Sequence, residues 1–299
     1  MKDKFNLRAN RMSIELQGGL GNQLFQLAAL AYAGERAEAK LSLDISRLSF
    51  GKTERKFEIP NELLELLFKR QPKIVSKSGF QLLIMKFLWK MESYNLKLYF
   101  PCRHIATNIG YDGIFENRIK NGMLIGYFQT YVYSNHLNWP QRFRDLKIDN
   151  NYYNSLLTEM KEKSPTVLHI RGGDYLFDRS GIGNLDVQYF ANCIYESRSA
   201  NNLFWIFSDD ASYAEEIAKD LHINYRLIDV NQSLNSLETL LLMSCAKKII
   251  ISNSTFAWWS AFLSYDSVIY APDKWFKALE DPFKLIPKNW NLVKSRWKE

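Results

Sequence analysis

Cysteine, histidine and long apolar runs are what this chain has least of. Its three cysteines, Cys102, Cys193 and Cys245, stand apart, with no Cys-x-x-Cys pair and no Cys/His cluster among only 4 histidines. Scattered thiols in odd number make neither a disulfide framework nor a structural zinc site, so a reducing compartment is expected. No run of 18 apolar residues occurs, which leaves nothing long enough to read as a membrane span. The longest candidate, Phe80 to Trp89, is broken by Lys86. It reads as a core helix, with a resting place on a membrane surface as the alternative. Residues 1–11 are polar and hold no apolar stretch of the secretory kind, so the expected location is cytoplasmic, with peripheral contact on the inner face of the membrane. Asp-x-Asp is absent as well. Without acids arranged as a divalent cage, no metal is expected to take part.

What is present suits a soluble α/β protein. The 299 residues are 46% hydrophobic and 24% charged, enough chain for two ordinary domains with their own cores. The excess of Lys and Arg over Asp and Glu is 7, a modest bias toward an anionic partner. No basic helix or aromatic–basic stacking array accompanies it, so a nucleic-acid partner is not expected.

Met12–Leu16 alternates like a strand and runs into Gln17-Gly18-Gly19-Leu20-Gly21-Asn22-Gln23, after which apolar residues recur at helical spacing to about Arg36. Leu41–Asp44 follows as a second strand. The glycines allow close backbone approach to a ligand or simply a tight turn for helix packing. A dinucleotide fingerprint fails, because the third glycine would have to stand where Leu24 does. Residues 45–120 yield a helix at Asn61–Lys69 and an aromatic passage through Tyr94, Tyr99, Phe100 and Tyr111, with no motif. Met123–Phe128 is again strand-like. From Pro165 on, short apolar strands alternate with helices of about ten residues, the pattern of a parallel doubly wound sheet. The expected architecture is two Rossmann-like domains, 1–155 and 156–299, with the last helix free to pack back on the first domain.

Three loops of the second half follow predicted strands and so should gather at one sheet edge. The first is His169-Ile170-Arg171-Gly172-Gly173-Asp174-Tyr175, whose competing reading is a surface turn with a solvated Arg–Asp pair. The second is Phe207-Ser208-Asp209-Asp210, where helix capping by Ser208 or Asp209 competes with a ligand role. The third is Ile251-Ser252-Asn253-Ser254-Thr255-Phe256-Ala257-Trp258-Trp259, small polar residues at a strand-to-helix junction, where backbone N–H groups meet anions. Trp258 and Trp259 read as packing residues. Together these loops offer a cation, a helix N-terminus and acidic acceptors, as a purine diphosphate would require.

With GGLGNQLFQLA near the start and GYFQT at 126–130, these blocks resemble, in order, those of bacterial α-1,2-fucosyltransferases, glycosyltransferase family 11. The resemblance implies a GT-B-like fold with the two domains facing a central cleft. It implies inverting, metal-independent transfer of fucose from GDP-fucose to the 2-hydroxyl of a terminal galactose, in an oligosaccharide or lipid-linked glycan. By resemblance Arg171 holds the β-phosphate of GDP, and His169 and Asp174 flank it as candidate bases. Asp209 faces the nucleoside, and Asn253, Ser254, Thr255 and Phe256 form the phosphate turn. Gly19, Gly21 and Asn22 reach the donor from the other domain. Gly172 departs from the pattern, which has a second arginine there; the expectation is a Gly-Gly hinge that leaves Arg171 more of the charge. Protein O-fucosyltransferase activity and a non-catalytic sugar-nucleotide or glycan-binding module are the rival readings.

Overall fold

A computed structural model describes residues 10–50, 55–84, 87, 104–106, 122–177, 180–197, 203–229 and 233–299. The chain forms two compact units, Met1–Trp139 and Pro140–Glu299. Each is organised on a parallel sheet.

In the first unit the strands are β1 (Arg11–Glu15), β2 (Lys40–Asp44), β3 (Lys73–Val75), β4 (His104–Ala106) and β5 (Gly122–Ile125), in the order β3-β2-β1-β5-β4. Helices among its described residues include α1 (Leu20–Ala37), α2 (Asn61–Leu67) and α3 (Tyr131–His136). The first helix is buried around most of its circumference, Leu24, Phe25, Leu27 and Ala28 among the residues with no exposed surface. Two glutamines share that burial and find partners: Gln23 Nε2 donates to the carbonyls of Gly18 and Lys56, and Gln26 Nε2 to that of Gly126. A buried amide left unpaired would cost about 1–3 kcal/mol, so these bonds set how the turn and the strand ends sit against the helix.

The second unit contains α4 (Trp139–Phe143, reaching across the division), α5 (Asn151–Lys163), β6 (Thr166–Ile170), α6 (Val187–Ser197), β7 (Leu203–Ser208), α7 (Ala211–Asp220) and β8 (Asn224–Leu227). It continues with α8 (Ser236–Ser244), β9 (Lys248–Ile250), α9 (Thr255–Leu263), β10 (Val268–Pro272) and β11 (Asn291–Val293). The strand order is β11-β10-β9-β6-β7-β8, all pairs parallel. Counted from β6 this is the doubly wound order 3-2-1-4-5-6, with the chain reversing its winding direction between β6 and β9. Every residue of β6 is buried, as a central strand covered on both faces requires. Leu168, Ile170, Ile206 and Ile250 from the sheet pack with Tyr189, Phe190 and Cys193 of α6 and Ala214, Ile217 and Ala218 of α7.

Three expectations change. Residues 140–155 cluster with the second unit, where α5 packs on α8, whereas the sequence pattern had placed them before a break at 155. No terminal helix forms: residues 273–299 make turns and β11, which pairs with β10. The Phe80 segment is helical over 79–84 but carries its apolar side chains on the surface, so it does not join the core. Hydropathy specifies an apolar stripe without specifying what faces it. The aromatic residues Tyr94, Tyr99, Phe100 and Tyr111 lie outside the described residues.

Candidate functional site

Open parallel sheets take ligands at the carboxyl ends of the strands where winding reverses. In the second unit that point lies between β6 and β9, registered at Leu168↔Ile250. The residues leaving those two ends are Arg171-Gly172-Gly173 and Ile251-Ser252-Asn253-Ser254. Next to β6, the end of β7 delivers Asp209 and Asp210, with Ile170 opposite Ser208. All three charged or polar loops therefore converge by topology.

Arg171 is held rather than waving in solvent. Its Nη1 lies 2.9 Å from Asp209 Oδ2, and its guanidinium sits 4.7 Å from the centre of the Tyr175 ring. The other oxygen of the same carboxylate accepts the Gly172 N–H at 2.9 Å. One carboxylate thus fixes both the arginine head and the backbone behind it. Asp209 is available for this because its neighbour does the capping: Asp210 Oδ1 accepts from Tyr213 N at the start of α7.

Gly172 is no hinge. It is buried, and a Cβ there would stand 2.7 Å from Asp210 Cβ and 3.1 Å from Tyr213 Cδ1. Gly173 follows in the left-handed region at φ +52, with Asp209 Oδ2 2.5 Å from where its Cβ would be. The Tyr175 N–H then bonds back to the Gly172 carbonyl, closing a 3-10 turn over Gly173–Phe177. The turn is pinned from three sides, and the position has no room for an arginine side chain. The backbone of Asp174 belongs to this turn; its side chain lies outside the described residues.

His169 is buried, and its Nδ1 lies 2.8 Å from Ser252 Oγ. This bond ties the end of β6 to the polar turn after β9. Burial, reinforced by the nearby Arg171 charge, pushes the His169 pKa down to about 3. The ring is therefore neutral and a poor proton acceptor, which argues against a role as base. Beyond Ser252, α9 begins at Thr255 with no side-chain hydrogen bond from its N-cap residue Ser254. Helices α5, α7 and α8 have such caps from Asn150, Asp210 and Asn235. The first-turn N–H groups of α9, at the switch point, thus lack a side-chain cap. Asn253 is committed elsewhere: its Nδ2 donates to the carbonyls of Gly183 and Trp275, at 3.0 and 3.2 Å. It braces neighbouring loops rather than presenting its amide to a ligand. Trp258 and Trp259 are fully buried, and Trp258 stacks on Phe262 at 4.7 Å.

The region from residue 120 to residue 294 matches the model of Glycosyl transferase family 11, more than half of the chain. The chain belongs to this family. It is 29% identical over 310 residues to the O-antigen biosynthesis glycosyltransferase WbnK of Escherichia coli, covering 92% of this chain and 98% of that protein. It is 26% identical over 295 residues to an alpha-1,2-colitosyltransferase of the same organism, covering 94% and 98%. A solved structure of Arabidopsis thaliana FUT1, mutant R284K with GDP, aligns with a TM-score of 0.48 at 14% identity, over 90% of this chain and 72% of that one. As a family 11 member the chain is a glycosyltransferase.

The family 11 match begins just ahead of β5, and the first unit has its own switch point between β1 and β5. There Gly19 is the N-cap of α1 without a side-chain bond, and Gly21 lies buried in its first turn. Gly18 adopts φ +80, where a Cβ would collide with Asn22 Nδ2 at 2.5 Å. Asn22 Oδ1 accepts from Gln129 Nε2 at 3.1 Å, so the GGLGN and GYFQT blocks meet. Gln129, Tyr175 and Ser252 were not singled out from the sequence. Tyr175 and Ser252 stand next to chosen residues in recognised blocks, Gln129 lies in GYFQT, from which none was chosen, and the overlooked signal was a place in the loops that follow β6, β9 and β5. Among the described residues no group of three or more His, Cys, Asp and Glu could hold a metal ion, and no helix is long and apolar enough to cross a membrane.

Proposed function

We propose that this glycosyltransferase moves L-fucose from GDP-fucose to the 2-hydroxyl of a terminal galactose in a glycan, with inversion and without a metal. The observation that carries the reading is the Arg171 guanidinium anchored on Asp209 and Tyr175, one strand away from the uncapped start of α9. A fixed cation and a helix start without a capping side chain at a switch point suit a diphosphate.

In the proposed step the acceptor hydroxyl attacks C1 of fucose as the bond from C1 to the GDP oxygen breaks. Charge grows on the β-phosphate. Arg171 and the amides of Thr255 and Phe256 neutralise it in place, so no reorganisation is needed as the bond cleaves. Attack opposite the β-linked leaving group produces an α linkage. The hydroxyl proton goes to a base, for which Asp174 is the candidate; neutral, buried His169 instead holds the two loops together. Gly19, Gly21 and Asn22 gather at the switch point of the first unit's own sheet, and a role for them in donor binding is part of the proposal. A glycan as acceptor is supported by the O-antigen relative, and its terminal galactose or lipid link is part of the proposal.

The test is transfer from labelled GDP-fucose to a panel of terminal β-galactosides, with the product linkage read by NMR. Arg171→Ala should lower kcat/KM by about 100- to 1,000-fold while the chain stays folded. Near-normal turnover in that variant, or GDP-fucose binding without transfer to any glycan, overturns the reading. A second reading keeps the α-1,2 chemistry with a colitosyl donor, favoured by the colitosyltransferase relative; the two donors compared side by side separate them.

A further inference from the structure

We propose that the helical segment beginning at residue 79, with edge strand β3 before it, is a docking surface for an anionic membrane. Phe80, Leu83, Ile84 and Phe87 are 76%, 63%, 39% and 58% exposed. Their spacing of three, four and seven residues puts them on one face of a helix. Ile74, on β3, is 40% exposed, and β3 is an edge of the first unit's sheet. Clustered apolar exposure of this kind marks an interaction site on a protein that is otherwise well packed.

Charge identifies the partner. From Lys69 to Ile84 the chain contains Lys69, Arg70, Lys73 and Lys77 and no acidic residue. Lys77 is occupied by Asp44, and Lys69 lies 3.4 Å from Glu35; Arg70 and Lys73 are exposed. Exposed cations followed along a short stretch of chain by exposed apolar side chains are what a bilayer with anionic headgroups accepts, the rings entering the acyl boundary and the cations meeting phosphate. Over residues 80–84 the helical stripe rises about 6 Å, enough to lie in the headgroup plane and far short of spanning. A second copy of the chain is a poorer partner, because a two-fold contact through this face brings Arg70 and Lys73 toward their own like charges. None of this depends on which sugar is transferred.

The full chain is incubated with vesicles of phosphatidylcholine alone and of phosphatidylcholine with about one-third phosphatidylglycerol, then sedimented. Binding is expected to the anionic vesicles, to fall as salt is raised, and to weaken at least about tenfold in Phe80→Ser/Phe87→Ser and in Arg70→Glu/Lys73→Glu. Both variants change exposed side chains, and an unchanged melting curve verifies that they fold. Chain left in the supernatant with anionic vesicles overturns the proposal. So does vesicle binding that survives both variants. A concentration-dependent dimer abolished by the phenylalanine variant, without vesicle binding, would assign the face to a second copy instead.

Discussion

At the scale of single residues, the carboxylate of Asp209 organises the candidate site. It joins Arg171 to the Gly172 backbone, and the space a side chain would need at 172 is already taken by Asp210 and Tyr213. Gly172→Ala should therefore destabilise the protein by about 1–3 kcal/mol, since the obstructing Asp210 Cβ belongs to a helix cap that cannot easily move. A lowered urea midpoint would reveal this; an unchanged midpoint would mean that the turn yields. His169 supplies a pH prediction. Its folded pKa lies far below the unfolded value near 6.5, so the unfolded chain takes up a proton that the folded chain refuses. Its contribution is stabilising above pH 6.5 and is lost as pH falls from there toward 3, at up to about 1.4 kcal/mol per pH unit. Denaturation between pH 7 and 5 should show a shallower pH slope in His169→Gln than in the parent chain, and equal slopes would contradict the assignment.

At the scale of elements, the start of α9 is the part whose chemistry is most open to test. Thr255 is the first helical residue, and Ser254 before it is extended at φ −112, ψ 129, the conformation that tolerates a following proline. Proline is accepted at the first position of a helix and lacks an N–H. Thr255→Pro should thus leave the helix in place while deleting one donor from the proposed phosphate turn. The expected result is a donor KM raised about tenfold, one charge-assisted hydrogen bond's worth, with stability changed by less than about 1 kcal/mol. A full loss of folded signal, or an unaltered KM, would count against the turn as an anion site. Capping elsewhere reinforces the contrast: Asn235 and Glu238 make a reciprocal capping box on α8, and Asp210 caps α7, which is how Asp209 remains available to Arg171.

For the whole molecule, each unit has its recognised sequence blocks at the switch point of its own parallel sheet. In the second unit they are the ends of β6, β7 and β9; in the first, the turn after β1 and the chain after β5, joined by Asn22 and Gln129. A ligand that binds the folded chain alone raises its melting temperature by mass action, about 2.7 kcal/mol of stabilisation at a hundredfold excess over Kd. GDP should raise the Tm equally with and without EDTA, and the rise should vanish in Arg171→Ala. A shift that requires a divalent cation would overturn the metal-free part of the proposal.

Periodicity in the sequence located the central elements, because each leaves an apolar signature that only one secondary structure satisfies. Val167, Leu168 and Ile170 give β6 the apolar content that a strand buried on both faces requires, and α1 begins where GGLGN meets its apolar repeat. The edge strands β3, β4 and β11 were not legible, each being three residues long and paired on one side, with too few side chains to show a pattern. The composition of the candidate site was legible too, in Arg171, Asp209 and the Ser254–Phe256 turn, since charge and small polar residues at strand ends stand out against an apolar background. The roles within it were not. That Asp209 grips Arg171, that Asn253 braces loops, and that Gly172 is packed shut depend on which atoms come within about 3 Å across loops dozens of residues apart, and the choice of Asp210 over its neighbour as the cap of α7 goes with Asp209 being taken by Arg171. Sequence alone determined the kinds of groups that gather at each sheet edge; tertiary structure decided which partner each one takes, because hydrogen bonds and close packing are satisfied by position in space and leave no periodic trace along the chain.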